Sequence, residues 1–226
     1  MGYEWEKDCV HVPFGLVSLS DGDDIKMMST REGRVVFLED VLNTAVAKTA
    51  DIMREKEVQG VDIDEVSREV GIGAVIFQEL SNNKIKDYVF SWDKVLNFDG
   101  ETGPYVQYTH ARASSVLRKA AAAGVDVDSL GSIDASYLGS DSAYALAKLL
   151  YRVPEVVIEA AEKYEPSIVT RHLVDIAQSF NKFYHDEHIL VDDEKERAAK
   201  LSLVKASKTV IANCLELLGI AAPERM

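Results

Sequence analysis

Gly103-Pro104-Tyr105-Val106-Gln107-Tyr108-Thr109-His110-Ala111-Arg112-Ala113-Ser114 marks the point where the chain turns from mixed material to continuous helix. Glycine and proline break whatever precedes them. Pro104 suits the first position of a helix, where its missing N–H has no partner to lose and its fixed φ is already helical. From there Val106, His110, Ala113, Leu117 and Ala120 recur at three and four residues, the spacing of one helical face. The same period continues downstream. Asp141 is placed to cap a helix through Ala143, Leu146, Leu149 and Leu150, and Pro154 opens the next. Val169, Leu173, Ile176, Phe180 and Phe183 form one further stripe, and Leu201, Val204, Ile211, Leu215 and Leu218 another, closed by Gly219. Such stripes leave water only by packing against one another. Residues 101–226 therefore read as an antiparallel helical bundle, with Gly124 to Gly139 its longest irregular connection.

Upstream of Gly100 the pattern is mixed. Val10 to Leu19 and Arg34 to Leu38 are apolar, β-branched stretches on either side of a Gly-Asp-rich connection, which predicts a strand, a loop and a second extended piece. From Asp40 the period changes: Leu42, Ala45, Val46, Thr49, Ile52 and Met53 share one helical face. Asp62 with Glu65 is a capping-box pattern that predicts a helix start. Asn82 and Asn83 predict its stop, Lys84 to Trp92 a brief extended segment, and Asp93 a cap for another turn. The fold class is mainly α, a helical bundle preceded by a small α/β unit.

With 226 residues, 47% of them hydrophobic and 28% charged, the chain can bury a substantial core, and it contains no apolar run long enough for a membrane span. Its start, Met1 to Asp8, lacks the basic-then-apolar order of a signal peptide. Cys9 and Cys214 lie far apart and show no metal-ligand spacing, so two unpaired thiols in a reducing compartment are expected, with no metal site. The net charge of -13 argues against indiscriminate binding to a polyanion, not against a local cationic face. Two acid-free basic runs offer such a face: Arg112, Arg118 and Lys119 between Ala111 and Val125, and Arg197, Lys200, Lys205 and Lys208 between Arg197 and Leu215. Each fits a phosphate-binding surface and an ordinary solvated helix face equally.

Several strings carry a family resemblance. Lys26-Met27-Met28-Ser29-Thr30-Arg31-Glu32-Gly33 resembles the loop with which class I aminoacyl-tRNA synthetases hold the phosphates of ATP, in the Met-Ser-Thr-Arg spelling of the arginyl-tRNA synthetases. The Gly103 to Ser114 string resembles the opening helix of that family's DALR-type anticodon-binding domain. His11-Val12-Pro13-Phe14-Gly15, Leu38-Glu39-Asp40-Val41-Leu42, Gly71-Ile72-Gly73-Ala74-Val75, Phe98-Asp99-Gly100-Glu101-Thr102-Gly103, Phe180-Asn181-Lys182-Phe183-Tyr184-His185 and Ala222-Pro223-Glu224-Arg225-Met226 resemble further parts of the family in its own order. The resemblance thus runs end to end. It implies that residues 1–38 are the last part of a Rossmann-like catalytic domain with the phosphate loop, 39–100 a connecting helical region, and 101–226 the anticodon-binding bundle. The family's upstream His-x-Gly-His string has no counterpart, because none of His11, His110, His172, His185 and His188 directly follows a glycine. The expectation is the back end of an ATP-dependent ligase that joins arginine to its tRNA, with the N-terminal catalytic half absent and no activity alone. A stand-alone RNA-binding module and a helical interaction scaffold are the alternatives.

The resemblance also implies a set of site residues. As the arginine carboxylate attacks the α-phosphate, charge builds on the β- and γ-oxygens, and a loop closing over them with cationic and hydroxyl donors stabilises that charge selectively. Lys26, Ser29, Thr30 and Arg31 are the expected catalytic donors, with Lys26, Met28 and Ser29 at the ATP phosphates. The family places lysine directly before Met-Ser, whereas Met27 stands there in this chain. Either Lys26 reaches round or Arg31 carries the task. ATP, with magnesium as its counter-ion, is expected only in the full-length enzyme, and no cofactor in this portion alone. For RNA, single-stranded bases are read by aromatic stacking and edge hydrogen bonds, with basic residues on the backbone. Tyr105, Tyr108 and Arg112 share one face at i, i+3 and i+7, which is either a stacking surface or a core stripe. Tyr184 and Met226 are carried over as tRNA contacts. His110 falls on the apolar stripe and reads as a core histidine, and the other histidines show no triad or metal arrangement. The expected partners are arginine tRNA, plus ATP and arginine through the missing half, with no membrane and no DNA, for a cytoplasmic monomer.

Overall fold

The stripes predicted for residues 101–226 meet in one core. The computed structural model describes residues 2–18, 36–130 and 133–226 and the backbone of 19–21 and 24–27. Five long helices build the bundle: α4 (Gly103–Ala122), α5 (Asp141–Tyr151), α6 (Val153–Lys163), α7 (Ser167–Asp186) and α8 (Glu194–Leu217). Val106, Ala113, Leu117 and Ala120 of α4 pack with Leu173, Ile176, Phe180 and Phe183 of α7 and Leu201, Val204, Ile211 and Leu215 of α8. Each large side chain fully withdrawn from water contributes about 1.5–3 kcal/mol before the cost of ordering the chain. Thr102 caps α4 by accepting from the Tyr105 N–H at 3.3 Å, and Pro104 lies in the first turn as expected. Gly219 follows α8 with φ +72°, a left-handed conformation that glycine adopts without strain. Asp141 is not the cap of α5. The Ser140 hydroxyl, one residue earlier, accepts from the Ala143 N–H, and Asp141 sits in the first turn, where its charge suits the helix dipole.

Ahead of the bundle, α1 (Leu38–Glu55) and α2 (Ile63–Ser81) form a helical hairpin, followed by the short helix α3 (Trp92–Val95). Asp62 caps α2 as its spacing predicts, accepting from the N–H groups of Asp64 and Glu65, and Asn82 ends the helix. Asp93 does not cap α3, which starts after Ser91 with no side-chain cap. The crossing of α1 and α2 is very close. A Cβ on Gly71 would stand 2.8 Å from the Val46 nitrogen and 2.9 Å from the Ala45 carbonyl, so only hydrogen fits. Gly71→Ala should destabilise the chain by about 2 kcal/mol in urea unfolding. Overpacking against backbone, which cannot rotate away, takes the upper part of a range of roughly 1–3 kcal/mol, and the better helix propensity of alanine returns up to about 1 kcal/mol. Wild-type stability in that variant would mean that the two helices separate freely.

The α/β unit is a three-stranded sheet in the order β2-β1-β3, with β1 (Val17–Asp21) antiparallel to β2 (Asp24–Met27) and parallel to β3 (Tyr88–Phe90). The extended segment predicted within Lys84 to Trp92 is β3. The strand predicted over Val10 to Leu19 is much shorter. Residues 9–16 are irregular, and pairing starts only where the Gly15 N–H donates to the Lys84 carbonyl at 2.7 Å and the Tyr88 N–H to the Leu16 carbonyl at 3.1 Å. Pro13 supplies no N–H, which interrupts any ladder before that point. The second extended piece, predicted for Arg34 to Leu38, is also corrected at its end, because Leu38 already belongs to α1.

Candidate nucleic-acid interface

About three turns of α4, Tyr184 of α7, the loop between α1 and α2 and the segment after α8 enclose an open hollow of about 370 Å³. α4 contributes Tyr108, Arg112, Arg118 and Lys119, α7 contributes Tyr184, the α1–α2 loop contributes Gln59, Gly60 and Val61, and the final segment contributes Arg225 and Met226. Tyr108 and Tyr184 are 42% and 38% exposed, enough to offer ring faces to a ligand. The Arg112 guanidinium lies between them, 4.9 Å from the Tyr108 centroid and 5.3 Å from that of Tyr184. Tyr184 also stacks with the buried Phe180, with ring centroids 6.5 Å apart and planes nearly parallel. Among the described residues, four cationic side chains and no Asp or Glu side chain line this hollow, in a chain whose net charge is -13.

The final segment is anchored from α4. The Gln107 amide donates to the Ala221 carbonyl at 2.9 Å and to the Glu69 carbonyl on α2 at 3.3 Å. His110 is buried, and its Nδ1 lies 2.9 Å from the Pro223 carbonyl, which can only accept, so Nδ1 carries the proton. Burial pushes the His110 imidazole below its usual range, against the smaller opposing pull of the Pro223 bond. It is therefore a structural clamp, as its place on the apolar stripe implies. Arg118 donates to the Glu224 carbonyl at 3.0 Å, and Met226 packs against the cluster of Met53, Val66 and Val70. The rim thus couples the bundle to the α1–α2 hairpin.

Of the residues expected at the RNA face, Tyr108, Arg112, Tyr184 and Met226 meet at this hollow, although they come from three distant parts of the sequence. Tyr105 does not line it: its ring packs half-buried on the bundle core and its hydroxyl accepts from the Asn181 amide at 2.9 Å. Gln59 and Arg225 are additions to the hollow, and Asn181 is an addition behind it, bonded to Arg112. Asn181 had one signal, an amide of poor helix propensity inside an otherwise regular helical stripe and one turn before Tyr184. The basic run of α8 is not a free cationic face. Lys200 bonds Glu187 and Glu196, Lys205 bonds Asp128, Lys208 bonds Glu224, and Arg197 donates to the carbonyls of Val191 and Asp192. Of the phosphate-loop residues, Lys26 lies on β2, and Met28, Ser29, Thr30 and Arg31 lie outside the described residues.

Residues 106–226 match the DALR anticodon binding domain family, and residues 1–92 match the catalytic domain of class I tRNA synthetases (R). The whole chain is 54% identical to part of the arginine–tRNA ligase of Halothermothrix orenii and 52% identical to part of that of Clostridioides difficile, covering 38% of each. The chain therefore spans about two fifths of the length of these curated relatives. Among solved structures, an arginyl-tRNA synthetase of Thermus thermophilus superimposes with a TM-score of 0.82 at 35% identity, over 94% of this chain and 35% of that one.

Proposed function

Because this chain belongs to the DALR anticodon binding domain family, we propose that it is the tRNA-binding, C-terminal portion of an arginine–tRNA ligase, and that the hollow over Tyr108 and Tyr184 receives unpaired anticodon bases. The observation that carries this reading is the composition of the hollow among the described residues: two half-exposed aromatic rings, four cationic side chains and no Asp or Glu side chain, in an acidic protein. Ring faces accept any base by stacking. Guanidinium and ammonium groups displace counterions from phosphates, and the Gln59 amide can donate to and accept from a base edge.

The remaining parts follow the same reading. Residues 1–38 belong to the ATP-dependent catalytic domain, 39–100 connect, and 101–226 bind tRNA. The exposed Tyr3, Trp5, Phe14, Phe37 and Leu38 support packing of the first segment against further α/β structure. Lys26, Met28, Ser29, Thr30 and Arg31 meet the phosphates of ATP, with its magnesium, once that domain is complete, and arginine binds there as well. The protein works as a monomer in the cytoplasm; no helix among the described residues is long and apolar enough to cross a membrane.

The test is salt dependence. If the four cations each displace one counterion, the affinity of this chain for an arginine tRNA transcript should fall with a log–log salt slope of about -3, from roughly 0.7 per contact with single-stranded phosphate. Binding that is absent at low salt, or has a slope near zero, would leave only the scaffold reading.

A further inference from the structure

We infer that Asn181 is a positioning residue for RNA: it holds the Arg112 guanidinium across the hollow between Tyr108 and Tyr184, with its remaining N–H groups facing the ligand. This rests on the proposed RNA-binding role of that hollow. Asn181 itself does not line the hollow and acts through Arg112.

The amide can stand only one way round. The Thr109 hydroxyl donates its single proton to the Tyr105 carbonyl at 2.9 Å, so toward Asn181 its oxygen can only accept. The partner must be the amide nitrogen, which lies 3.1 Å from Thr109 Oγ1 and 2.9 Å from the Tyr105 hydroxyl oxygen. Both Nδ2 hydrogens are thereby committed, and Oδ1 is left facing Arg112, whose Nη1 donates to it. A flipped amide would set its oxygen against a hydroxyl with no proton to give. The orientation of Asn181 is thus dictated by two α4 side chains, and that orientation fixes Arg112. Thr109 is fully buried and Tyr105 packs on the core, so the anchor is rigid. The restraint comes from a neutral group. Arg112 therefore keeps its full charge and most of its five N–H donors, where a carboxylate at position 181 would neutralise it. Half-buried Tyr105 acquires a role on this account, as part of the frame that aims Arg112.

The 226-residue chain carrying Asn181→Ala should bind a fluorescent arginine tRNA transcript about tenfold more weakly, the order expected when a charge-assisted contact loses its geometry. Because Asn181 works through Arg112, the same substitution in an Arg112→Ala background should change affinity by less than about twofold. An equal tenfold loss in both backgrounds would overturn the inference. Asn181→Asp keeps the outline of the side chain, loses the two N–H bonds to Thr109 and Tyr105 and pairs Arg112 with a carboxylate, which holds the guanidinium by charge instead; it should weaken binding while making the salt slope shallower by about 0.7. Wild-type binding and slope in that variant would also overturn it. A readout without RNA separates this inference from the reading beneath it: the Arg112 guanidinium should rotate slowly by nitrogen-15 NMR in the wild type and in Asn181→Asp, and freely in Asn181→Ala. Identical rotation in all three removes Asn181 as the anchor. Should rotation behave as expected while Arg112→Ala and Tyr108→Ala bind the transcript as well as wild type, the RNA-binding role fails instead.

Discussion

Tyr108 and Tyr184 changed together to alanine should weaken binding of an arginine tRNA transcript by roughly 2–5 kcal/mol. A base-stacking aromatic is worth roughly 1–3 kcal/mol by alanine substitution, so two independent rings would give roughly 2–6 kcal/mol. They are not independent, because both flank the Arg112 guanidinium at 4.9 and 5.3 Å, and each single change loosens the cation that the other ring also holds. The sum is therefore cut at its upper end. Both rings are about two fifths exposed and Tyr184 covers the buried Phe180, so their removal costs some stability, and the dissociation constants are compared under conditions where both proteins are fully folded. Tyrosine to phenylalanine at both positions keeps the faces and removes the hydroxyls. Near-wild-type affinity in that pair would assign the effect to stacking rather than to hydrogen bonding. If the double alanine variant bound the transcript within a factor of two of wild type, neither ring would belong to the site.

The bundle was legible because burial imposes a period. Val106, His110, Ala113, Leu117 and Ala120 repeat at helical spacing and all lie inside, and Asp62 announced its helix because a cap is a local matter of three residues. What failed to show was whatever depends on distant partners. Tyr105 and Tyr108 look equivalent in sequence, yet a three-residue step turns the first toward Asn181, 76 positions away, and the second toward the hollow. The four cations of α8 form an acid-free run only along the chain, since Asp128, Glu187 and Glu224 reach them from other segments and Glu196, which pairs with Lys200, stands just ahead of the run's first member. Strand length in residues 10–19 was overread for a related reason. Apolar, β-branched residues favour a strand, but its extent is set by whichever segment offers free carbonyls, here only from Lys84 onward.

The same long-range pairing gives the largest effect on stability. Lys200 is 5% exposed, and its ammonium meets Glu196 at 2.7 Å, Glu187 at 2.8 Å and the His188 carbonyl at 3.1 Å, one acceptor for each of its three donors. It fastens the connection between α7 and α8 onto α8. Lys200→Met keeps the aliphatic volume and strands two carboxylates against each other, which should cost about 3 kcal/mol at pH 7. Loss of one partner from a buried pair costs roughly 3–5 kcal/mol, and the lower end applies because both glutamates retain some water. The pH dependence follows from the shifts. Hydrogen bonds from Lys200, then from Ser140, hold the Glu187 carboxyl below its usual range, so the stability it lends the wild type is present above the ordinary carboxylate pKa and is lost as pH falls through the depressed one. Burial alone would pull the Lys200 ammonium down, but the bonds it donates to Glu187 and Glu196 outweigh it and raise its pKa, so its contribution is lost only as the solution becomes strongly alkaline. In Lys200→Met the two glutamates lack a counter-charge and take up protons readily. The variant's deficit should therefore be widest near pH 7 and narrow toward about pH 4, near the ordinary glutamate pKa. Urea unfolding at both pH values measures the difference, and a deficit independent of pH would mean that Lys200 stabilises by packing its methylenes rather than by its charge.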